Sequence, residues 1–209
     1  WPTAAAAQTP PVLPSPLSLG DVIRLASERR DEIQAARART RAGEARPTIV
    51  SALQDPMISP SLDHLPFMLG GADVSFTIEQ QIPLSGIRGH RRASALADVD
   101  RLRADASRTT LDVGIQAANA FLMVQERRRT TALVTEQLAF ARDVVSAANA
   151  RYASGTAPQS DVLRAEVEVA RLEALARALV SEVRGAEAML NTSLALDAES
   201  PVPPLASLA

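Results

Sequence analysis

The longest uninterrupted feature of the sequence is a stretch without proline from residue 87 to residue 157. Up to residue 153 its only glycines are Gly89 and Gly114, and apolar residues recur every three or four positions. This spacing predicts one helix over 86–153, about 100 Å long at roughly 1.5 Å per residue. An ordinary globular helix has only about 11–12 residues. A helix of this length therefore needs a partner packed along it, as in a coiled coil.

The following segment is expected to supply that partner. Gly155 suits the left-handed conformation that ends many helices, and Pro158 prevents the helix from continuing. Thr156 or Ser160 is expected to cap a return helix over 160–194. Its apolar stripe consists of Val162, Leu163, Val167, Ala170, Ala174, Val183, Ala186 and Leu190. The two helices should form an antiparallel hairpin.

A shorter helix precedes these two. Ser18 and Asp21 fit a capping box ahead of an apolar run. We expect this helix over 17–47, with Pro47 ending it. The chain is thus organised as an extended Pro/Ala-rich arm over 1–16, one structured unit over 17–196 and a linker over 197–209.

The segment 54–83 has a different pattern, because frequent proline and glycine exclude a long helix there. Apolar and polar residues alternate in its second half, which predicts a strand with one apolar and one polar face. The apolar face consists of Val74, Phe76 and Ile78. An earlier run, with Pro60 indicating an edge strand or a bulge, predicts the other strand, and the turn is expected at 65–71. Strands of about nine or ten residues either span a membrane or pack on a helix, and the pattern alone favours neither.

Composition restricts the function. A hydrophobic fraction of 46% excludes a disordered chain, and a net charge of −2 argues against nucleic-acid binding. Only 3% of residues are aromatic, which disfavours a compact enzyme with a deep pocket. There is no cysteine, and no nucleotide-binding, nucleophile-elbow or H-E-x-x-H motif occurs. We therefore expect no enzyme activity, no catalytic residue and no cofactor.

The two histidines do not predict a metal site. His64, beside Asp63 and near two methionines, is either a transient metal ligand or, as we favour, a polar residue at a strand end. His90 lies among the arginines of 88–92, which would repel a metal cation. Those arginines are either solvated residues at a helix N-terminus or groups that mark the membrane side of the long helix.

Three segments carry a resemblance to a known family. They are Leu17–Ala26 (LSLGDVIRLA), Glu79–Gly86 (EQQIPLSG) and Arg151–Glu166 (RYASGTAPQSDVLRAE). Over about 17–195 the chain resembles one repeat of the TolC-like outer-membrane efflux proteins. The third segment is the most specific, since it is similar to the family pattern R-Y-x-x-G followed by D-V-L-x-A at the periplasmic tip.

Within that family, the runs LQDPM at 53–57, DHLP at 63–66 and QIPLSG at 81–86 look most like the heavy-metal cation efflux branch. The sequence departs from that branch at Gln54, where proline is usual, and at Ile87-Arg88, where Lys-Arg is usual. The resemblance therefore leaves the substrate open between metal cations and drugs.

The resemblance implies a mainly helical chain whose two strands contribute to an oligomeric β-barrel in the outer membrane, above a periplasmic helical tunnel. Family members normally carry two repeats and trimerise. The resemblance therefore implies a trimer if this repeat is part of a two-repeat chain, and a hexamer, with twelve strands, if it is a half-length protein. Implied partners are a periplasmic adaptor protein, an inner-membrane pump of the resistance-nodulation-division type, and outer-membrane lipid.

Two sets of residues receive roles from this resemblance. The lipid-facing strand residues would be Val74, Phe76 and Ile78. The residues of the tip that gate the tunnel and contact the adaptor would be Arg151, Tyr152, Gly155, Thr156, Gln159, Asp161 and Arg164. The function expected is that of a passive exit duct for efflux. The alternative is a soluble coiled-coil adaptor or scaffold without a pore.

Overall fold

The computed structural model describes residues 13–63 and 73–207, and for residues 62, 63, 73 and 74 it describes the backbone alone. The chain is mainly α-helical with one antiparallel β-hairpin. Its elements are α1 (Leu19–Arg29), α2 (Asp31–Ser51), β1 (Met57–Asp63), β2 (Asp73–Glu79), α3 (Ile87–Ala153) and α4 (Gln159–Ser193). The arm up to residue 12 and the expected turn at 65–71 lie outside the described residues.

The first predicted helix is two helices. α1 opens with the expected capping box, in which Ser18 Oγ accepts from the Asp21 amide at 3.2 Å. It ends at Arg30, whose backbone is extended (φ −69°, ψ 123°). Asp31 then begins α2, and an acidic residue is favourable at that helix N-terminus.

Pro47 does not end α2, contrary to the expectation, because the helix continues to Ser51. Proline removes one backbone donor, and its ring crowds the preceding turn. Here the ring is buried, and Ser51 Oγ donates to the Pro47 carbonyl at 2.7 Å. These contacts hold the final turn together despite the missing hydrogen bond.

The chain divides into two compact units, of which the first contains residues 1–31 and 110–209. Its core brings α1, the second part of α3 and the end of α4 together. The fully buried side chains there include Leu17, Val22, Phe121, Val124, Leu190 and Leu194. A Cβ at Gly114 would lie 3.6 Å from Ile23 Cγ2, which is an ordinary van der Waals contact, so α1 packs against α3 at this position.

Within this unit α3 and α4 are antiparallel. Arg128 pairs with Glu187 at 2.6 Å, and Arg142, further along α3, pairs with the earlier Glu173 of α4 at 2.8 Å. Between the helices lies a cluster of buried apolar residues, Val134, Ala141, Leu172 and Leu179.

The predicted stripe of α4 is only partly right. Val162, Ala186 and Leu190 are buried, but Leu163, Val167, Ala170 and Ala174 are exposed. The face that packs on α3 runs instead through Val169, Leu172, Ala176 and Leu179, which recur every three or four residues but are not members of the predicted stripe.

The segment predicted as a linker is anchored to this unit. Asn191, fully buried, donates through Nδ2 to the carbonyls of Ala198 (3.1 Å) and Ser200 (2.7 Å). Arg128 donates to the carbonyls of Val202 (3.1 Å) and Pro203 (3.0 Å). Backbone bonds join Leu17 to the same segment, with its amide donating to Pro204 and its carbonyl accepting from Ala206.

The second unit contains residues 32–109, and its helical part is α2 against the start of α3. Thr40 Oγ1 donates to the Leu102 carbonyl at 3.3 Å, and Arg103 pairs with Glu44 at 2.8 Å. A Cβ at Gly43 would lie 2.5 Å from Leu102 Cδ1. The absence of a side chain at Gly43 therefore lets the two helices approach closely.

Candidate functional site

The turn between α3 and α4 is a compact, hydrogen-bonded cap on the helical hairpin. Gly155 takes a positive φ of 74°, as expected, a conformation that costs any residue with a Cβ. Thr156 donates to the Arg151 carbonyl from its amide (2.9 Å) and from its hydroxyl (3.0 Å). The hydroxyl of Ser154 donates to the same carbonyl at 3.0 Å. These three bonds satisfy the Arg151 carbonyl, one of those that a helix C-terminus leaves without an intrahelical partner.

The expected caps of α4 are wrong. The N-cap residue is Pro158, in extended conformation, and no side chain caps it. Thr156 instead closes the end of α3, and Ser160 lies inside α4. Asp161 is in the first turn of α4, where its carboxylate is favourable to the helix dipole.

The predicted tip residues come together at this end of the hairpin. Arg151, Tyr152, Gln159, Asp161 and Arg164 are all exposed. Val162, next to Asp161 in the first turns of α4, is buried. Within the part of the chain that the structure describes, none of the tip arginines forms an ion pair with Asp161. The tip thus presents polar and charged groups that are available to other molecules.

An apolar groove lies between α3 and α4, on the helical hairpin next to its tip. Phe140 and Val144 of α3 line it with Leu172 of α4, and its volume is about 610 Å³. Phe140 is 70% exposed. Glu168 and Arg171 border the groove and pair with each other at 2.6 Å, and this arginine lowers the pKa of Glu168. No sequence pattern indicated this groove, although Phe140 is one of only four phenylalanines.

The β-hairpin has the predicted alternation. Its register pairs Ile58 with Ile78 and Pro60 with Phe76 on one face. On the other face Ser61 and Ser75 pair, and their hydroxyls lie 2.7 Å apart. The register passes Pro60 without a bulge, so the bulge alternative is wrong.

Seven residues of each strand lie within the described ranges. Since β1 ends and β2 begins at the border of those ranges, the length of nine or ten residues stays a prediction. β1 begins directly after Pro56, which has no amide hydrogen for extending the ladder. Phe76 and Ile78 are 72% and 71% exposed, and Ile58 is 65% exposed. Val74 pairs with Leu62 in the backbone register, but its side chain lies outside the described part. The apolar face therefore has no protein core covering its described residues.

Among the described residues, no group of three or more His, Cys, Asp or Glu side chains is placed to hold a metal ion. His64 lies outside those residues, and His90 is exposed. No helix in the described ranges is both long and apolar enough to cross a membrane.

The fold is similar to that of solved bacterial membrane proteins. The outer membrane protein VceC from Vibrio cholerae superimposes with a TM-score of 0.71 at 14% identity, over 91% of this chain and 51% of that chain. The outer-membrane channel OprN gives 0.69 at 17% identity, over 90% and 46%. A membrane protein from Pseudomonas aeruginosa gives 0.63 at 22% identity, over 92% and 46%.

These similarities identify the fold as that of one repeat of a TolC-like channel. The chain spans about half the length of the solved structures that it matches. No family model matches the sequence, and no curated protein matches it.

Proposed function

We propose that this chain is one repeat of an outer-membrane exit duct, which passively conducts a substrate from the periplasm to the outside. The observation that carries the proposal is the β-hairpin. Its register collects Ile58, Phe76 and Ile78 on one exposed face, which is the pattern of a strand with a lipid-facing and a lumen-facing side. A duct of this kind performs no chemistry, so no enzyme activity is proposed.

The alternative is a soluble adaptor or scaffold built on the helical hairpin alone. The anchored helices and the apolar groove fit both functions. A soluble scaffold, however, gains nothing from an exposed hairpin with one apolar face, which is an aggregation hazard in water. We therefore favour the duct.

Three chains of two repeats each, or six chains of one repeat, would supply the twelve strands of a closed barrel. Closure is needed because a hairpin with open edges is not stable in lipid. The tunnel would then be formed by α3 and α4 of every repeat. The solved chains with this fold are about twice as long as this one, which supports pairing this repeat with a second.

The partners proposed are a periplasmic adaptor protein at the tip and, through it, an inner-membrane pump of the resistance-nodulation-division type. Loop tips on rigid scaffolds commonly carry binding function, and this tip is polar and exposed. Contacts made by Tyr152, Asp161 and Arg164 between neighbouring repeats would constrict the tunnel, and binding of the adaptor would release them. The substrate class proposed is metal cations or drugs.

The experiment is native mass determination in detergent, followed by conductance of the assembled protein in planar bilayers. We expect a trimer or a hexamer according to the number of repeats, and discrete channels. Replacing Asp161 with Ala should raise the conductance, whereas Asp143→Ala, at an exposed acidic residue on α3, should not. A monomer that forms no channels with a second repeat supplied would refute the duct.

A further inference from the structure

The start of α3 carries a concentration of positive charge without acidic partners. Arg88, Arg91 and Arg92 lie in its first two turns, and the first turn contains no acidic residue. Cations at this end oppose the helix dipole. Further along α3, Arg103 in contrast pairs with Glu44 at 2.8 Å. Among the described residues no carboxylate pairs with Arg88, Arg91 or Arg92.

A cavity of about 530 Å³ opens beside these arginines, within the second unit. Arg88 and Arg91 line it together with Gln54, Gln81 and Ser85, and no acidic side chain does so. Arg88 is held in place through Nε, which donates to the carbonyl of Ser51 at 2.8 Å. Its two terminal nitrogens donate to no other described residue. The cavity thus combines two guanidinium groups with amide and hydroxyl donors, which is a set suited to an anion such as phosphate.

The surroundings of the cavity are apolar. Ile82 and Leu84 are exposed, Leu84 to 95%, and Ile82 also lines the cavity. The apolar face of the β-hairpin ends at Ile78, three residues before Gln81. Three residues of extended chain span about 10 Å, so this face ends close to the cavity. A free phosphate ion would gain nothing from these side chains, whereas the glycerol and acyl groups of a lipid would.

We propose that this cavity binds the phosphate of an anionic glycerophospholipid in the membrane leaflet next to the helices. The inference rests on the proposed function, because it needs the hairpin to be inserted in a bilayer. Arg88 and Arg91 contact the phosphate, while Ile82 and Leu84 contact the apolar part of the lipid. The bound headgroup offsets the charge repulsion at the start of α3 and fixes the depth of the hairpin.

The test is flotation of the assembled oligomer, with a second repeat supplied where assembly requires it, on phosphatidylcholine vesicles with or without phosphatidylglycerol. Each arginine near an anionic surface strengthens binding about fivefold. Arg88→Gln/Arg91→Gln should therefore weaken binding to the phosphatidylglycerol vesicles by about 25-fold. The matched control is Arg177→Gln/Arg184→Gln on α4, which makes the same change in net charge at two exposed positions and should leave binding near the wild-type value.

The outcomes separate the two proposals. Equal loss in both double variants, or equal wild-type binding to both kinds of vesicle, would overturn the lipid site and leave the duct standing. Absence of wild-type binding to any vesicle would overturn both. Phosphorus NMR with inorganic phosphate alone provides a second measurement on the folded chain. Binding there that requires Arg88 and Arg91 would identify a soluble anion as the ligand and overturn the lipid assignment.

Discussion

Asn191→Ala should release the segment after α4 without unfolding the helices. Asn191 is fully buried, and its Nδ2 donates both hydrogens, to the carbonyls of Ala198 and Ser200. Each hydrogen bond contributes about 1–1.5 kcal/mol net, and the two carbonyls would be left without their donor. We therefore expect a loss of about 2–3 kcal/mol.

Hydrogen exchange measures this loss locally. The amide of Ala206 donates to the carbonyl of Leu17 at 2.8 Å, and the amide of Ser200 donates to Asp197. Both should exchange about 30- to 150-fold faster in the variant, because each 1.4 kcal/mol is a factor of ten. Amides in the middle of α4 should change little. Asn149→Ala, at an exposed position on α3, is the control and should leave all of these rates unchanged.

Two results would refute the reasoning. Unchanged exchange at Ser200 and Ala206 would mean that Asn191 does not hold the segment. A uniform acceleration over α3 and α4 would mean that the residue supports the whole unit. Asn191→Asp separates charge from size, since it keeps the volume but places a carboxylate against two carbonyls, and it should be at least as destabilising as alanine.

Three further predictions concern the turn, the close helix contact and the first cap. Gly155→Ala should destabilise the chain by about 1 kcal/mol in denaturant unfolding, because its φ is +74°. An added Cβ would meet no atom within 4 Å at Gly155 or at Gly185, so the two positions differ in backbone conformation and not in space. Gly185→Ala, inside α4, should therefore stabilise the chain by about 1 kcal/mol. Gly43→Val should be destabilising because a Cβ there lies 2.5 Å from Leu102 Cδ1, and Leu102→Ala in the same chain should recover part of the loss. Hydrogen bonds from Ser18 and Arg24 lower the pKa of Asp21 from its ordinary value of 3.8. Its contribution to stability is therefore complete above that value and is lost as the pH falls through the lowered pKa, and Asp21→Asn should abolish this part of the pH dependence.

The long elements were predictable because their signals are local and repeated. The proline-free stretch predicted α3 to within one residue of its observed start, and Gly155 and Pro158 predicted the turn. The interruption at Arg30 was missed, although Arg29-Arg30 followed by Asp31-Glu32 has the charge order of a helix end and a helix start. The opposite error occurred at Pro47, where tertiary burial of the ring outweighed its tendency to end a helix.

The contacts that hold the segment after α4 and form the cavity beside Arg88 join residues that are far apart in the sequence. No local pattern could therefore predict them. Nothing local indicates that Asn191 and Arg128 hold the segment at 198–203, which its composition alone identified as a linker. The cavity beside Arg88 also needs the end of α2 and the chain after β2 to be brought together. The alternation in β2, in contrast, is a local pattern, and the register with β1 confirms it.

The most direct test of the central claim is the accessibility of the hairpin faces in lipid. Spin labels at positions 74, 76 and 78 of the assembled, reconstituted protein should be relaxed by oxygen dissolved in the bilayer. Labels at 75, 77 and 79 should be relaxed by a water-soluble paramagnetic reagent, because strand neighbours point to opposite faces. Alternation with a period of two is the result that the duct predicts. Equal exposure of both sets to the aqueous reagent would contradict it and favour a soluble scaffold.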